Sequence, residues 1–487
     1  MTSRPRGPCC AALLTTFIAV LTVLAACTAA PPHAAPPHAA PPAAPGPNPA
    51  APWPQRPVVD LTFDMAPDLS SATGHETVVF TPDLPVCELV FRAWPNMPST
   101  AGQGNALVVT GATVQGRTSA PVMSPAGAPP GAPGTLVELP LPGCVPAGQS
   151  VRAELGFALR LGADSDERMG TSPATGTAWF GSGFPLLAWV RGQGWIRDDA
   201  VTIPSETATS EDFRLDALRV IAPTRAEVSG TGRADVPVPG PQAGTTAHVF
   251  HADAVRDVSV AVGAYRVQER DVAGARLHLF TPASGTRADP QRWAQEIDGT
   301  LGRLEQLLGP SPYADLWVVI VPPLTSGIEY PGALQFGDLG TKDVPELAAH
   351  ELAHQWFYGL VGNDQARDPW LDEGFATYAQ AVVDDSPGEY RLGSVPRALR
   401  GGLGDPMGAW SGRGPGAYYS GVYVQGAAAL LAARRRVGAG PFDAAVRAYV
   451  TTNAHRVATP ADVAHAFAGL PVASDLLAGA GAFATRR

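Results

Sequence analysis

His350, Glu351 and His354, read in the chain as HELAH, are the residues whose types and spacing dictate chemistry. Residues four apart on an α-helix lie one above the other on one face, so two imidazoles there reach a single metal ion. Zinc suits such a pair, and Glu351, one residue round the helix, is displaced to face a metal-bound water instead of the metal. A hydrolytic zinc centre needs three protein ligands and one open position. Glu373, which opens a Glu-Gly pair after eighteen intervening residues, completes the set. His350, His354 and Glu373 are therefore the expected ligands of one Zn2+ per chain, with Glu351 as its base. With ten His in the chain, the bland alternatives are a structural zinc or a core His pair, and the context of the motif decides against them.

That context is a pair of helices. Asp343 and Pro345 open the first, and Leu347, Leu352, Trp356 and Leu360 give it an apolar side to bury. Gly359 and Gly362 offer its stop. After a short polar loop, Trp370 to Tyr378 (WLDEGFATY) reads as a second helix with Glu373 near its start. HELAHQW, the eighteen-residue gap and WLDEGFATY together resemble the gluzincin metallopeptidases of the aminopeptidase N family.

Two further patches resemble the same family. Leu316 to Val321 is a buried-strand run, and the segment Gly327-Ile328-Glu329-Tyr330-Pro331-Gly332 is similar to the family's G-x-M-E-N exopeptidase motif. The resemblance implies that Glu329 holds the substrate's free α-amino group, although Tyr330 stands where the family has Asn. Tyr418 to Gly426 (YYSGVYVQG), opening an Ala/Leu-rich helix, is similar to the family's Tyr-x-Lys-Gly segment. That similarity makes Tyr423 the donor to the transition-state oxyanion, with Tyr419 as runner-up. Asp372 and Gln425 stand where the family commonly has Asn and Lys.

What the resemblance implies is zinc-dependent peptide hydrolysis, most simply removal of amino-terminal residues with Glu351 as general base. The alternatives are an endopeptidase or longer-peptide hydrolase with an open cleft, or a non-catalytic surface binding lipoprotein on a peptidase fold. The implied architecture is multidomain α+β: an amino-terminal antiparallel β saddle or sandwich, then a thermolysin-like α/β zinc domain with a short helical tail.

The rest of the chain fits that division. Arg4 and Arg6 precede an apolar stretch from Ala11 to Ala26, a secretory signal at residues 1–26. Leu24-Ala25-Ala26-Cys27 resembles a bacterial lipobox, which implies lipidation of Cys27 and a lipid-anchored, extracytoplasmic protein; cleavage near Ala30 is the alternative. Residues 27–56 are rich in Pro and Ala and read as a semi-rigid tether. His33 and His38 lie there in near-repeats without further ligands. Of five Cys, only Cys87 and Cys144 remain in the folded part, and a disulfide between them suits an oxidising compartment.

Residues 57–262 read as β. Val59, Leu61, Phe63 and Met65 alternate with polar residues, as do Val151 to Leu161, and Cys87, Leu89, Phe91 and Ala93 continue the pattern. Trp179 to Phe184 reads either as a substrate entrance or as core packing. Residues 263–425 form the catalytic part, with a core helix opened by Asp289-Pro290 and carrying Trp293, Ile297, Leu301, Leu304 and Leu308. Residues 426–487 make a short helical end, including a helix opened by Thr459-Pro460 with Asp462 in its first turn. So short an end leaves little to roof the cleft. A net charge of −10 and a pI near 5.5 suit no phosphate backbone, so peptides are the expected partners and nucleic acid is not.

Overall fold

A computed structural model describes residues 48–203 and 211–484. Cys27, the signal and most of the tether, with His33 and His38, lie outside the described residues.

Alternating side chains build the first half. Its main strands are β1 (Val58–Met65), β2 (Ser71–Phe80), β3 (Val86–Arg92), β4 (Ala106–Val114), β5 (Leu136–Val145), β6 (Val151–Arg160), β7 (Phe213–Pro223) and β8 (Thr245–Val255). β1 buries Val59, Leu61, Phe63 and Met65 and half-exposes the residues between, as period two requires. Among the described residues the largest sheet has nine strands, with the order β8-β7-β1-β2-β6-β4 at its centre. Its pairing is antiparallel except that β1 and β7 run parallel, with Leu61 opposite Leu218 and Phe63 opposite Val220. The expected wholly antiparallel saddle is corrected there: strands so far apart in sequence are free of the hairpin that forces antiparallel pairing.

β3 departs from simple alternation, because Leu89, Val90 and Phe91 are all buried while Cys87 is exposed. Cys87 and Cys144 form a disulfide between β3 and β5, which pair antiparallel. Trp179, Phe180 and Phe184 are buried in the core of this half and do not line the cleft, so the entrance reading gives way to packing.

The second half carries a five-stranded sheet of β9 (Tyr265–Val272), β10 (Ala275–Pro282), β11 (Asp315–Val321), β12 (Gly327–Tyr330) and β13 (Ala333–Gly337), ordered β9-β10-β11-β13-β12. β10, β11 and β13 are mutually parallel, and β12 closes the edge antiparallel to β13. β11 is buried on both faces. Trp317, Val319 and Val321 join the core of the first half, while Leu316, Val318 and Ile320 join that of the helices. A continuous apolar run is what a strand covered on both sides needs.

The main helices are α1 (Pro290–Leu308), α2 (Val344–Ala353), α3 (Trp370–Val383), α4 (Gln425–Val437), α5 (Ala439–Asn453), α6 (Pro460–Ala466) and α7 (Pro471–Gly479). Asp289 caps α1 by accepting from the Gln291 N–H at 2.8 Å, and the five apolar residues named above are buried along one face. Thr459 and Asp462 form a capping box on α6. The described residues hold together as one compact unit with two large apolar cores. Among them no helix is long and apolar enough to cross a membrane.

Candidate active site

α2 delivers its chemistry in its last turn. It ends at Ala353, with His354 as its C-cap still in helical conformation, short of the stop expected at Gly359. The Gln355 and Trp356 N–H groups bond carbonyls three residues back, which tightens the chain out of the helix. The Gln355 side chain fixes the exit, accepting from Gly332 N–H at 2.8 Å and donating to the Tyr330 carbonyl at 3.1 Å. His350 and His354 keep the one-turn relation that the sequence implies.

α3 brings Glu373 against them. His350 Nε2 and His354 Nε2 are 3.2 Å apart, and Glu373 Oε2 lies 3.2 Å from the first and 3.4 Å from the second. A tetrahedral zinc with bonds of about 2.0–2.1 Å sets its ligand atoms about 3.3 Å apart along each edge. The three atoms fit zinc on that ground. The outer ring nitrogens agree, because His350 Nδ1 pairs with Gln380 Oε1 at 3.2 Å and His354 Nδ1 with the Phe357 carbonyl at 3.0 Å. Both partners are acceptors, so the proton sits on Nδ1 and the lone pair on Nε2 faces inward. Gln380 was not singled out from sequence. Its signal is the helical spacing from Glu373, seven residues on along α3.

With only the chain's own charges present, these groups demand a cation. Burial is the largest influence on Glu351 and pushes its carboxyl well above the usual range, with Glu329 adding to it. For His354 burial works against the charged form, but Glu329, Glu373 and Glu351 together overcome it and hold the imidazole's proton tightly. Burial alone would raise Glu373, yet His354 and His350 pull it down. A divalent cation supplies the positive charge that protonated imidazole otherwise must.

Glu351 Oε2 is buried without a hydrogen-bond partner, and the residue lines a cavity of about 540 Å³ with the three ligand residues. A carboxylate oxygen left without a partner beside three candidate metal ligands has an open hydrogen-bonding position that a water can fill. Its approach needs Gly327, since a Cβ there would lie 2.5 Å from Glu351 Cγ. Glu329, on β12, is a second carboxylate in the cavity, and one of its oxygens groups with Glu351 and His354 within 4.8 Å. Tyr330 turns away from it, fully buried against Gly181 with Arg168 5.9 Å over its ring.

Tyr423 stacks on His350, ring centroids 5.7 Å apart and 16° from parallel. Tyr419 also lines the cavity but is half exposed. The sequence suggested an ordinary helix start here. Instead Tyr419–Val424 forms a π-helical turn before α4, with Trp410 packed on Gly421 and Gln425 donating to the Gly421 carbonyl at 3.1 Å. Such wider turns recur at functional sites because they redirect one side chain. Asp372, beside Glu373, accepts from Gln365 at 2.8 Å, and burial and then Glu373 push its carboxyl up to about 8.

Comparison with known proteins agrees with this geometry. Residues 338–395, which span the two histidines and Glu373, match the model of the Peptidase family M1 domain. Over 134 residues the chain is 31% identical to endoplasmic reticulum aminopeptidase 2 of Bos taurus, covering 21% of this chain and 14% of that protein. Over 52 residues it is 49% identical to aminopeptidase N of Canis lupus familiaris, covering 10% of this chain and 5% of that protein. Among solved structures, the M1 zinc metallopeptidase of Deinococcus radiodurans superposes with a TM-score of 0.63 at 20% identity, over 89% of this chain and 95% of that one. A mutant of that metallopeptidase, bound to a Tyr-Ser-Ala substrate, gives a TM-score of 0.61 at 19% identity, over 87% and 93%. The chain thus shares the fold of M1 zinc metallopeptidases and, around its two histidines, matches the model of the Peptidase family M1 domain.

Proposed function

We propose that the chain is a zinc-dependent peptidase that removes amino-terminal residues from peptides. The observation that carries this reading is the tetrahedral-edge spacing of His350, His354 and Glu373 beside the unpartnered carboxylate of Glu351. Zinc held by those three residues would polarise the scissile carbonyl and acidify water. Glu351 takes the proton of the attacking water as the new C–O bond forms, and returns it to the leaving nitrogen as the C–N bond breaks. The Tyr423 hydroxyl donates to the carbonyl oxygen as it gains charge. Glu329 holds the substrate ammonium by a charge-assisted bond, which fixes the amino terminus one residue from the reacting carbonyl. The Tyr-Ser-Ala substrate bound by the structural relative supports the same substrate class, a short peptide.

Free and amino-acetylated versions of one tripeptide test this. The free peptide should lose its first residue in a chelator-sensitive way while the acetylated one survives. Equal cleavage of both would favour the endopeptidase alternative, and cleavage of neither the binding-protein one. Anchoring through lipidated Cys27, with residues 27–56 as tether, belongs to the same proposal. Cys27→Ala should move the protein from the detergent to the aqueous phase on partitioning, and an unchanged distribution would rule the anchor out.

A further inference from the structure

The cavity has two ends, and only one is used by the reaction above. Glu329 groups with Glu351 and His354 at the first end. From His354 the lining follows α2 backwards through His350 to Glu346 and Asp343, a run of about 16 Å at 1.5 Å per residue. Tyr390 and Tyr419 stand with Glu346 at this second end. Gln380 links the ends, meeting His350 Nδ1 on one side and the Tyr390 hydroxyl at 3.4 Å on the other. A peptide held by its ammonium at Glu329, with its first carbonyl at the metal ligands, must continue towards Glu346 and Asp343.

The charges there are one-sided. Five carboxylates line the cavity, and neither Lys nor Arg does; Lys342 is exposed and outside the lining. Glu351, Glu373 and Glu329 have roles in the proposed reaction, which leaves Asp343 and Glu346. Of these, Glu346 bears on the Tyr419 ring: burial and then Glu346 and Glu389 push its phenol up, while Asp343 lines the same cavity. Two phenol rings beside carboxylates make an amphipathic wall: apolar faces for a methylene stem, anions and π-faces for a cationic head. Glu346 lies one helical turn, about 6 Å, beyond His350, within reach of a long side chain on the residue after the scissile bond.

We infer that the cleft selects peptides whose second residue is Lys or Arg, with Glu346 and Asp343 as specificity-determining residues and Tyr390 and Tyr419 flanking the cationic side chain. This deepens the aminopeptidase reading and rests on it. An acidic second residue is disfavoured by the same field.

The test compares Ala-Lys-Ala, Ala-Leu-Ala and Ala-Glu-Ala with the zinc-loaded full chain, by kcat/KM. The lysyl peptide should exceed the glutamyl one by about tenfold or more, and Glu346→Gln should shrink that ratio several-fold. Equal rates for the lysyl and glutamyl peptides, or a ratio unmoved in both Glu346→Gln and Asp343→Asn, overturn the inference. Binding of the same peptides to zinc-loaded Glu351→Gln, followed by calorimetry, separates the two claims. If no peptide is cleaved the aminopeptidase reading fails, and the order of affinities still upholds or overturns the cationic preference.

Discussion

Glu351 and Tyr423 carry the sharpest predictions at the scale of single residues. Glu351→Gln keeps shape and ligands but removes the proton acceptor, so it should bind zinc as the parent does while turnover falls by about 10²–10⁴-fold. Zinc content and kcat measured on the same preparation check this; undiminished turnover would exclude Glu351 as base. Tyr423→Phe removes a donor whose bond forms mainly as charge develops. Its kcat should drop about 10²–10³-fold with little change in KM. A change confined to KM would instead make Tyr423 a substrate-packing residue, as its stacking on His350 would also allow.

The elements show why part of this was legible in the sequence. Spacing on a helix is periodic, so HELAH and the following WLDEGF announce which side chains meet before any fold is known. Glu329 was legible only through a resemblance, because a short edge strand has too little periodicity of its own. The π-helical turn before α4 was not legible at all: it depends on Trp410 lying over Gly421, a contact between residues that no repeat connects. Nor was the early end of α2, which the Gln355 side chain imposes from across β12. The crossing of α3 and α4 is a further tertiary feature. A Cβ at Gly426 would stand 2.7 Å from Gly374 Cα, so the helices touch backbone to backbone beside Glu373. Gly426→Ala should therefore cost about 1–3 kcal/mol of stability and weaken zinc binding, because α3 must move with its ligand. Thermal unfolding and a zinc-chelator competition measure the two effects, and no change in either would contradict this account of the crossing.

At the scale of the whole molecule, stability depends on carboxylates that folding buries away from the catalytic groups. Asp368 is pushed up to about 7 by burial and then by Asp364, which is itself raised to about 6 by burial and then Asp198. A carboxyl whose folded pKa exceeds its unfolded one binds its proton more tightly in the native state. Its contribution is fully present below pH about 4 and is lost as pH rises to about 7. Asp368→Asn should remove that slope and stabilise the protein at pH 8 by about 1–2 kcal/mol, since solvent reaches part of the group. Melting temperatures across pH 4–8 decide it, and a variant less stable at pH 8 would contradict it. The central claim remains that three side chains from two helices hold one zinc for hydrolysis. Zinc titration of chelator-stripped protein, followed by turnover of a fluorogenic leucyl amide, tests it most directly. Activity should rise from nothing and break at about one zinc per chain. Full activity in the stripped protein, or none with zinc bound, would contradict it.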